Sequence, residues 1–270
     1  MKRRLTNDHL TLPSLSGWAI GVALGAYIAG PISGGHINPA VTIAQAAFRR
    51  FPLSKVPGYI FSQILGCFIA TLLIYTNYHE AIADFEAGSG HQVFGDTATA
   101  GNFVSTPKPH ISAGTGFYDE LLGTAILVGS IFAFTNPALP GQALALAVLF
   151  ALLGIAVAVG AQTGFAINPA RDFGPRLALT VIGYPGKTLW SHNKGYWFHS
   201  IWGANIVGGL LGGGLVDLFL YVGHDSIFNK PVSIREDIGN EAQILNSLFF
   251  CSPVSTRLMR NGAPRGQRSI

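Results

Sequence analysis

Four long stretches of this chain contain no Asp, Glu, Lys or Arg. They lie between Asp8 and Arg49, between Lys55 and Glu80, between Glu120 and Arg171, and between Lys194 and Asp217. A helix that crosses a bilayer needs roughly 17–25 mostly apolar residues. The third stretch is long enough for two such helices, and its turn-rich segment 135–141 provides the break between them. The pattern predicts five spans, at about 15–33, 57–79, 117–135, 143–163 and 196–221.

The composition excludes several other classes of protein. Charged residues make up only 11% of the 270 positions and hydrophobic residues 49%, which is atypical of a cytosolic enzyme. Two cysteines are too few for a disulfide scaffold. The basic residues lie mostly in short flanks and the tail, so no nucleic-acid partner is expected. No metal-ligand, phosphate-loop or nucleophile–base pattern occurs, and we therefore predict no enzymatic activity, no cofactor and no metal.

The distribution of basic residues predicts the orientation. Arg49, Arg50 and Lys55 place the end of the first span in the cytoplasm by the positive-inside rule. Counting spans forward then places the polar segment 80–116 outside, as an outer loop, and the basic tail 223–270 inside, where we expect disorder. We assign residues 1–14 to an N-terminal flank and 15–222 to the membrane domain. Without a retention or lipid-attachment motif, the plasma membrane is the predicted location.

An internal repeat provides the strongest constraint on topology. The segment Gly34-Gly-His-Ile-Asn-Pro-Ala-Val-Thr42 is echoed by Gly164-Phe-Ala-Ile-Asn-Pro-Ala-Arg-Asp172. Three predicted spans, an odd number, separate the two copies, so the two segments enter the membrane from opposite faces, as in inverted repeats. The re-entrant regions 34–48 and 164–179 are too short to span, and we interpret them as loops followed by half-helices that reach the middle of the bilayer.

The residues of each copy suit a pathway for polar solutes. Asn favours the N-cap and Pro the first helical position, so each half-helix directs the positive end of its dipole at the membrane centre, where it repels cations and protons. The amides of Asn38 and Asn168 can donate to a passing hydroxyl or water. The expected acceptors are the backbone carbonyls of Gly34, Gly35, His36 and Ile37 in the first loop, and of Gly164, Phe165, Ala166 and Ile167 in the second.

These motifs resemble the major intrinsic protein family, the aquaporins, and within it the aquaglyceroporins. The resemblance covers about residues 14–222 and rests on the doubled motif Asn38-Pro39-Ala40 and Asn168-Pro169-Ala170, together with the sequence from Gly164 to Arg176. It implies an all-α membrane protein with an aquaporin-like inverted repeat. It also implies a passive channel, usually a homotetramer in a lipid bilayer, which conducts glycerol, small polyols and water and excludes ions and protons.

The resemblance further implies individual roles. The selectivity filter would comprise Trp18, Ala156, Phe165 and Arg171. An intramembrane Arg opposite two aromatic walls forms a wedge with one polar and one apolar side, which suits a linear polyol. Glu120 resembles the carboxylate that braces a motif loop, although an interfacial carboxylate is an equal alternative. His36 resembles a pore-lining histidine, and a packed core histidine is the alternative.

The family fold has six spans and two half-helices, whereas the pattern here predicts five spans. By comparison with its second half, the first half lacks an initial helix, for which an incomplete gene model or a short isoform would account. The alternative function is therefore a non-conducting family member that assembles with or regulates full-length channels. An ion-coupled transporter, the third possibility, would need a carboxylate at mid-membrane, and no interior of a predicted span contains one.

Overall fold

The computed structural model describes residues 12–136, 144–221 and 226–229, and within these ranges the chain is predominantly helical. Most of the predicted tail, residues 223–225 and 230–270, and most of the predicted flank, 1–11, lie outside the described residues. The helices are α1 (Leu12–Ser33), α2 (Pro39–Phe48), α3 (Val56–Glu86), α4 (Ala113–Phe134), α5 (Leu144–Thr163), α6 (Pro169–Ile182), α7 (Gly186–Tyr196) and α8 (Asn205–Phe219). A π-helical segment, Trp197–Ala204, joins α7 to α8.

Five helical stretches of the described residues are long and apolar enough to cross a membrane, in agreement with the sequence prediction. The predicted boundaries need two corrections. Helix α3 continues to Glu86, and α4 begins at Ala113, so the segment predicted as an outer loop at 80–116 is a connection of residues 87–112 between two helices. The last stretch begins at Gly186 rather than 196, because α7 and the π-helical segment precede α8.

The two short helices follow the repeated motifs. Helix α2 has 10 residues and α6 has 14, so at a rise of about 1.5 Å per residue neither crosses a hydrocarbon core of about 30 Å. Both begin at the Pro of the motif and have the Asn before it as N-cap. Helix α6 ends at Ile182 and is capped by Gly183, whose φ of 111° suits a residue without a Cβ.

The packing of the helices follows the repeat. Helix α1 packs on α5, while α3 packs on α6 and α2 packs on α8, which are equivalent pairs in the two halves. Helix α4 packs on α5 and most extensively on α8. The close approach to α8 requires glycine, since a Cβ at Gly208 would lie 2.3 Å from the Leu121 carbonyl oxygen, and one at Gly212 would lie 2.0 Å from that of Ala125.

The first half of the repeat leaves two helix faces uncovered. In the second half, α4 packs beside α5 and α8. Among the described residues, no helix packs in the equivalent position beside α1 and α3. Accordingly, only 17% of the apolar stretch of α1 and 6% of that of α3 are buried, against 33% for α5 and 50% for the stretch from Gly186 to Phe219. The two halves thus share a topology but differ in how far their helices are enclosed.

Candidate functional site

The loops that precede α2 and α6 meet and exchange side-chain hydrogen bonds. Asn38 Nδ2 donates to the carbonyl oxygen of Ile167 at 2.8 Å, and Asn168 Nδ2 donates to that of Ile37 at 2.9 Å. The two bonds are equivalent under the repeat. They join the two motifs directly, as expected for half-helices that approach the same point from opposite faces.

Each Asn also caps its own helix. Asn38 Oδ1 accepts from the Ala40 N–H at 2.8 Å, and Asn168 Oδ1 accepts from the Ala170 and Arg171 N–H groups at 3.0 and 3.2 Å. The oxygen is therefore used for capping, while one amide hydrogen crosses to the other loop. Both side chains also line a common cavity.

The backbone of both loops adopts left-handed conformations that are rare for bulky residues. Ile37 and Ile167 each have φ of 40°, and Phe165 has φ of 43°. Such positions typically cost about 1–3 kcal/mol each and persist only where the surroundings hold them. In the second loop the buried Glu120 does so: its carboxylate accepts from the Ala166 N–H at 3.0 Å and from the Ile167 N–H at 2.7 Å. Tyr196 donates its hydroxyl to the same carboxylate at 2.6 Å.

Two cavities lie along the expected pathway. The loop cavity, of about 60 Å³, lies where the motifs meet, and the vestibule cavity, of about 280 Å³, lies under the α3–α4 connection. The loop cavity is lined by both motif loops, including the side chains of Asn38 and Asn168, and by aliphatic side chains that include Leu127, Val148 and Leu152.

Three of the four predicted filter residues line both cavities and so lie at their boundary. They are Trp18, Phe165 and Arg171. The guanidinium carbon of Arg171 lies 4.2 Å from the centre of the Trp18 ring, and its buried Nη1 has no hydrogen-bond partner among the described residues. A buried guanidinium with an unpartnered N–H group can donate to a hydroxyl oxygen, and its charge repels cations. Phe165 packs closely on Gly160, where a Cβ would lie 2.7 Å from its ring.

Ala156 is the exception among the predicted filter residues. It lines neither cavity and is 3% exposed, within the apolar cluster that also contains Leu152, Ile155 and Phe165. Its single methyl group packs between α5 and its neighbours. Its place in the filter stays a prediction.

The other predicted pore residues divide into lining and supporting positions. The loop cavity is lined by Gly35, His36, Ile37, Ala166 and Ile167, and the vestibule cavity by Gly164, whereas Gly34 lines neither. Pro39, Ala40, Pro169 and Ala170 are buried at the starts of α2 and α6, where they form the first turn of each helix. The ring of His36 packs against Phe51 and Tyr59, with centroid distances of 4.8 and 5.2 Å.

The structure also contains a buried clamp that the sequence analysis missed. Asp172 accepts hydrogen bonds from the backbone N–H and hydroxyl of Ser105 at 2.8 and 2.7 Å, and it pairs with Arg176. Arg176 in turn donates to the carbonyl oxygens of Ser105 and Leu189. The spacing of Asp172 and Arg176 on one helical face was a signal for their pairing. Nothing local indicated Ser105, which lies in the distant α3–α4 connection.

A second missed ion pair lies at the other end of α2. Arg49 Nη1 lies 2.6 Å from Asp217 Oδ1, and the Arg49 guanidinium carbon lies 3.6 Å from the centre of the Tyr221 ring. Asp217 also accepts from the backbone N–H groups of Ile227 and Phe228. The pair joins the end of the first half-helix to the end of α8.

Comparisons with known proteins agree with this geometry. The family model described as "Major intrinsic protein" matches residues 2–218. Aquaporin-7-1 of Laccaria bicolor is 42% identical over 231 residues, which cover 84% of this chain and 67% of the relative. Aquaglyceroporin-2 of Rhizophagus irregularis is 43% identical over 219 residues, covering 80% and 68%. The solved structure of the aquaglyceroporin from Plasmodium falciparum superimposes with a TM-score of 0.70 at 29% identity and covers 81% of this chain and 86% of its own.

Proposed function

Since this chain belongs to the major intrinsic protein family and is thus an integral membrane protein of a channel family, we propose that it conducts glycerol and other small neutral solutes, together with water, down their gradients. We propose further that it excludes ions and protons. The main support for the proposal is that Trp18, Phe165 and Arg171 lie together at the boundary between the two cavities. The names of the aquaglyceroporin relatives support the same choice of solute.

Arg171 and the two aromatic rings contribute different chemistry to this boundary. Arg171 supplies hydrogen-bond donors and a positive charge, while Trp18 and Phe165 supply an apolar wall for the carbon chain of a polyol. The next donors along the path are the amides of Asn38 and Asn168. A neutral solute can exchange its water for these groups, whereas a cation meets Arg171 and two half-helix N-termini of the same sign.

The direct test is stopped-flow light scattering on proteoliposomes that contain the chain. Under a glycerol gradient we expect fast solute uptake, while sucrose stays excluded and a proton-sensitive dye inside the vesicles shows no leak. Replacement of Asn168 by Ala should reduce glycerol uptake, and Tyr27→Ala on the exposed face of α1 is the matched control. Glycerol uptake equal to that of empty liposomes, with folded protein present, contradicts the proposal.

The uncovered faces of α1 and α3 favour one second candidate, a non-conducting member that assembles with or regulates complete channels. Only 6% of the apolar stretch of α3 is buried, which leaves a large surface for another membrane helix. Co-reconstitution with a conducting relative distinguishes the two functions. A channel conducts alone, whereas a regulatory subunit changes the permeability of its partner and has none of its own.

We also propose that the chain forms a homotetramer in the plasma membrane, as its family resemblance implies. Exposed apolar side chains along α1, such as Leu24, Ile28 and Ile32, provide surface for contacts between copies. Chemical cross-linking in native membranes followed by gel electrophoresis tests the assembly state. Fractionation of those membranes tests the location.

A further inference from the structure

A buried cluster of polar side chains joins the end of α3 to the α3–α4 connection. Glu86, at the last turn of α3, has a carboxylate whose oxygens lie 2.9 and 3.0 Å from Nδ1 of His91. The hydroxyl of Thr99 donates to the same carboxylate at 2.5 Å. The Glu86 side chain is 5% exposed, whereas that of His91 is 24% exposed and open to protons from solvent.

The hydrogen bonds of the cluster form a directed chain. The single hydrogen of Thr99 is used toward Glu86, so the Tyr184 hydroxyl, 2.7 Å away, must donate to Thr99. Burial raises the pKa of Tyr184 to about 12, and the nearby Glu86 carboxylate adds to the rise, so the phenol keeps its proton. Because the carboxylate can only accept, Nδ1 of His91 must carry a hydrogen. Nε2 of the same ring lies 3.1 Å from the Tyr75 hydroxyl oxygen.

This arrangement accommodates His91 in both protonation states. In the neutral ring, Nε2 accepts from Tyr75, and in the charged ring it donates to the Tyr75 oxygen. Protonation adds an ion pair with Glu86 and places a cation flat on the Tyr184 ring, where the centroids are 4.4 Å apart at an interplanar angle of 7°. The titratable groups that face the imidazole are Glu86, Tyr75 and Tyr184.

The cluster is next to the vestibule wall. Val93 and Phe94, two and three residues after His91, line the vestibule cavity together with Ala98, which directly precedes Thr99. The Phe94 ring also packs on His192 of α7, with a centroid distance of 4.2 Å. Both ends of the wall segment 91–98 are therefore held by bonds that depend on the Glu86 carboxylate.

From this geometry we propose that Glu86 and His91 form a proton-responsive latch that holds segment 91–98 against the vestibule and tightens when the imidazole is protonated. The latch acts as a positioning device, because neither side chain lines the pathway. Its effect on conduction rests on the function proposed above. With the latch tight, Val93 and Phe94 stay at the wall, and with the latch loose they enter the cavity and narrow the access to Arg171.

Hydrogen exchange tests the latch without requiring conduction. In lipid nanodiscs, amides of residues 91–98 should exchange about three- to tenfold more slowly at about pH 5 than at about pH 8, after correction for the intrinsic rates. His91→Gln keeps a donor for Glu86 but cannot titrate, so its corrected exchange should not depend on pH. Glu86→Gln, which removes the charge, should likewise abolish the pH dependence of the corrected exchange. His110→Gln in the same connection is the matched control.

Glycerol uptake by proteoliposomes provides the second readout. For the unsubstituted chain we expect uptake at about pH 5 to exceed that at about pH 8 by about twofold or more, and for His91→Gln we expect no difference. Equal corrected exchange at both pH values in the unsubstituted chain, or a pH dependence that survives in His91→Gln, overturns the latch. Vesicles that conduct at neither pH while the exchange difference persists overturn the proposed function and leave the latch intact.

Discussion

The side-chain nitrogen of Asn38 lies 2.8 Å from the carbonyl oxygen of Ile167, although the residues are 129 positions apart. The equivalent bond joins Asn168 to Ile37 at 2.9 Å. Each bond connects the cap of one half-helix to the strained loop of the other, and both loops contain an Ile with φ of 40°. The two loops therefore stabilise one another, and a change in one should be felt in the other.

The reciprocal bonds predict non-additive effects of substitution. Asn38→Ala and Asn168→Ala should each lower thermal stability in detergent, because each leaves a carbonyl oxygen and a helix N-terminus without its partner. The double variant should lose less stability than the sum of the two single losses, by about 0.5–3 kcal/mol. Thermal unfolding of the four proteins measures this coupling, and strictly additive losses would show that the loops are held independently.

Arg171 should control the leak of ions. Arg171→Val removes the cation beside Trp18 and so lowers the electrostatic barrier to protons and small cations, while glycerol still passes. Proton flux is read from a dye trapped in proteoliposomes under a pH gradient, with Lys187→Val on α7 as the control. If leak stays at the unsubstituted level in a folded variant that conducts glycerol, Arg171 is not the barrier.

The aromatic wall should set the upper size of solutes. Trp18→Ala and Phe165→Ala each remove a ring from the boundary between the two cavities, so polyols of five or six carbons should gain permeability relative to glycerol. Stopped-flow uptake of a series of polyols measures the limit. Phe198→Ala removes a 67% exposed ring away from the cavities and should leave the limit unchanged. An unaltered limit in the two wall variants would assign these rings to packing alone.

Glu120 should be needed for the shape of the second loop. In Glu120→Gln one carboxylate oxygen becomes an amide nitrogen, so one of the N–H groups of Ala166 and Ile167 loses its acceptor. An unpaired buried donor costs about 1–3 kcal/mol, and we expect both a lower unfolding temperature and reduced glycerol uptake. Glu80→Gln, on the exposed surface of α3, is the conservative control. Unchanged values for both quantities would mean that the loop keeps its conformation without the carboxylate.

The buried clamp should matter for stability more than for selectivity. Asp172→Asn leaves the charge of Arg176, which is 2% exposed, without its counter-ion, and breaking a buried pair in this way costs about 3–5 kcal/mol. Thermal unfolding measures the loss, with the exposed Asp84→Asn as the comparison. A variant as stable as the unsubstituted chain would show that Ser105 and Leu189 suffice to hold Arg176.

The sequence by itself determined the features that depend on local chemistry. Charge-free stretches predicted five helices of membrane-spanning length, and the repeated Asn-Pro-Ala predicted where α2 and α6 begin. These predictions succeed because hydropathy and helix capping act within a few residues along the chain. They failed at Glu86, where α3 continues past the first charged residues, because a helix can extend beyond the apolar core into the polar region.

Only the tertiary structure decided which distant groups meet. Hydropathy does not show that Asn38 reaches Ile167, that Ser105 completes the clamp of Asp172, or that the methyl of Ala156 is used in packing. It also does not show that Glu86 and His91 lie against the vestibule wall. The physical reason is that hydrogen bonds and ion pairs act over about 3 Å, so their partners are chosen by the packing of whole helices rather than by position in the sequence.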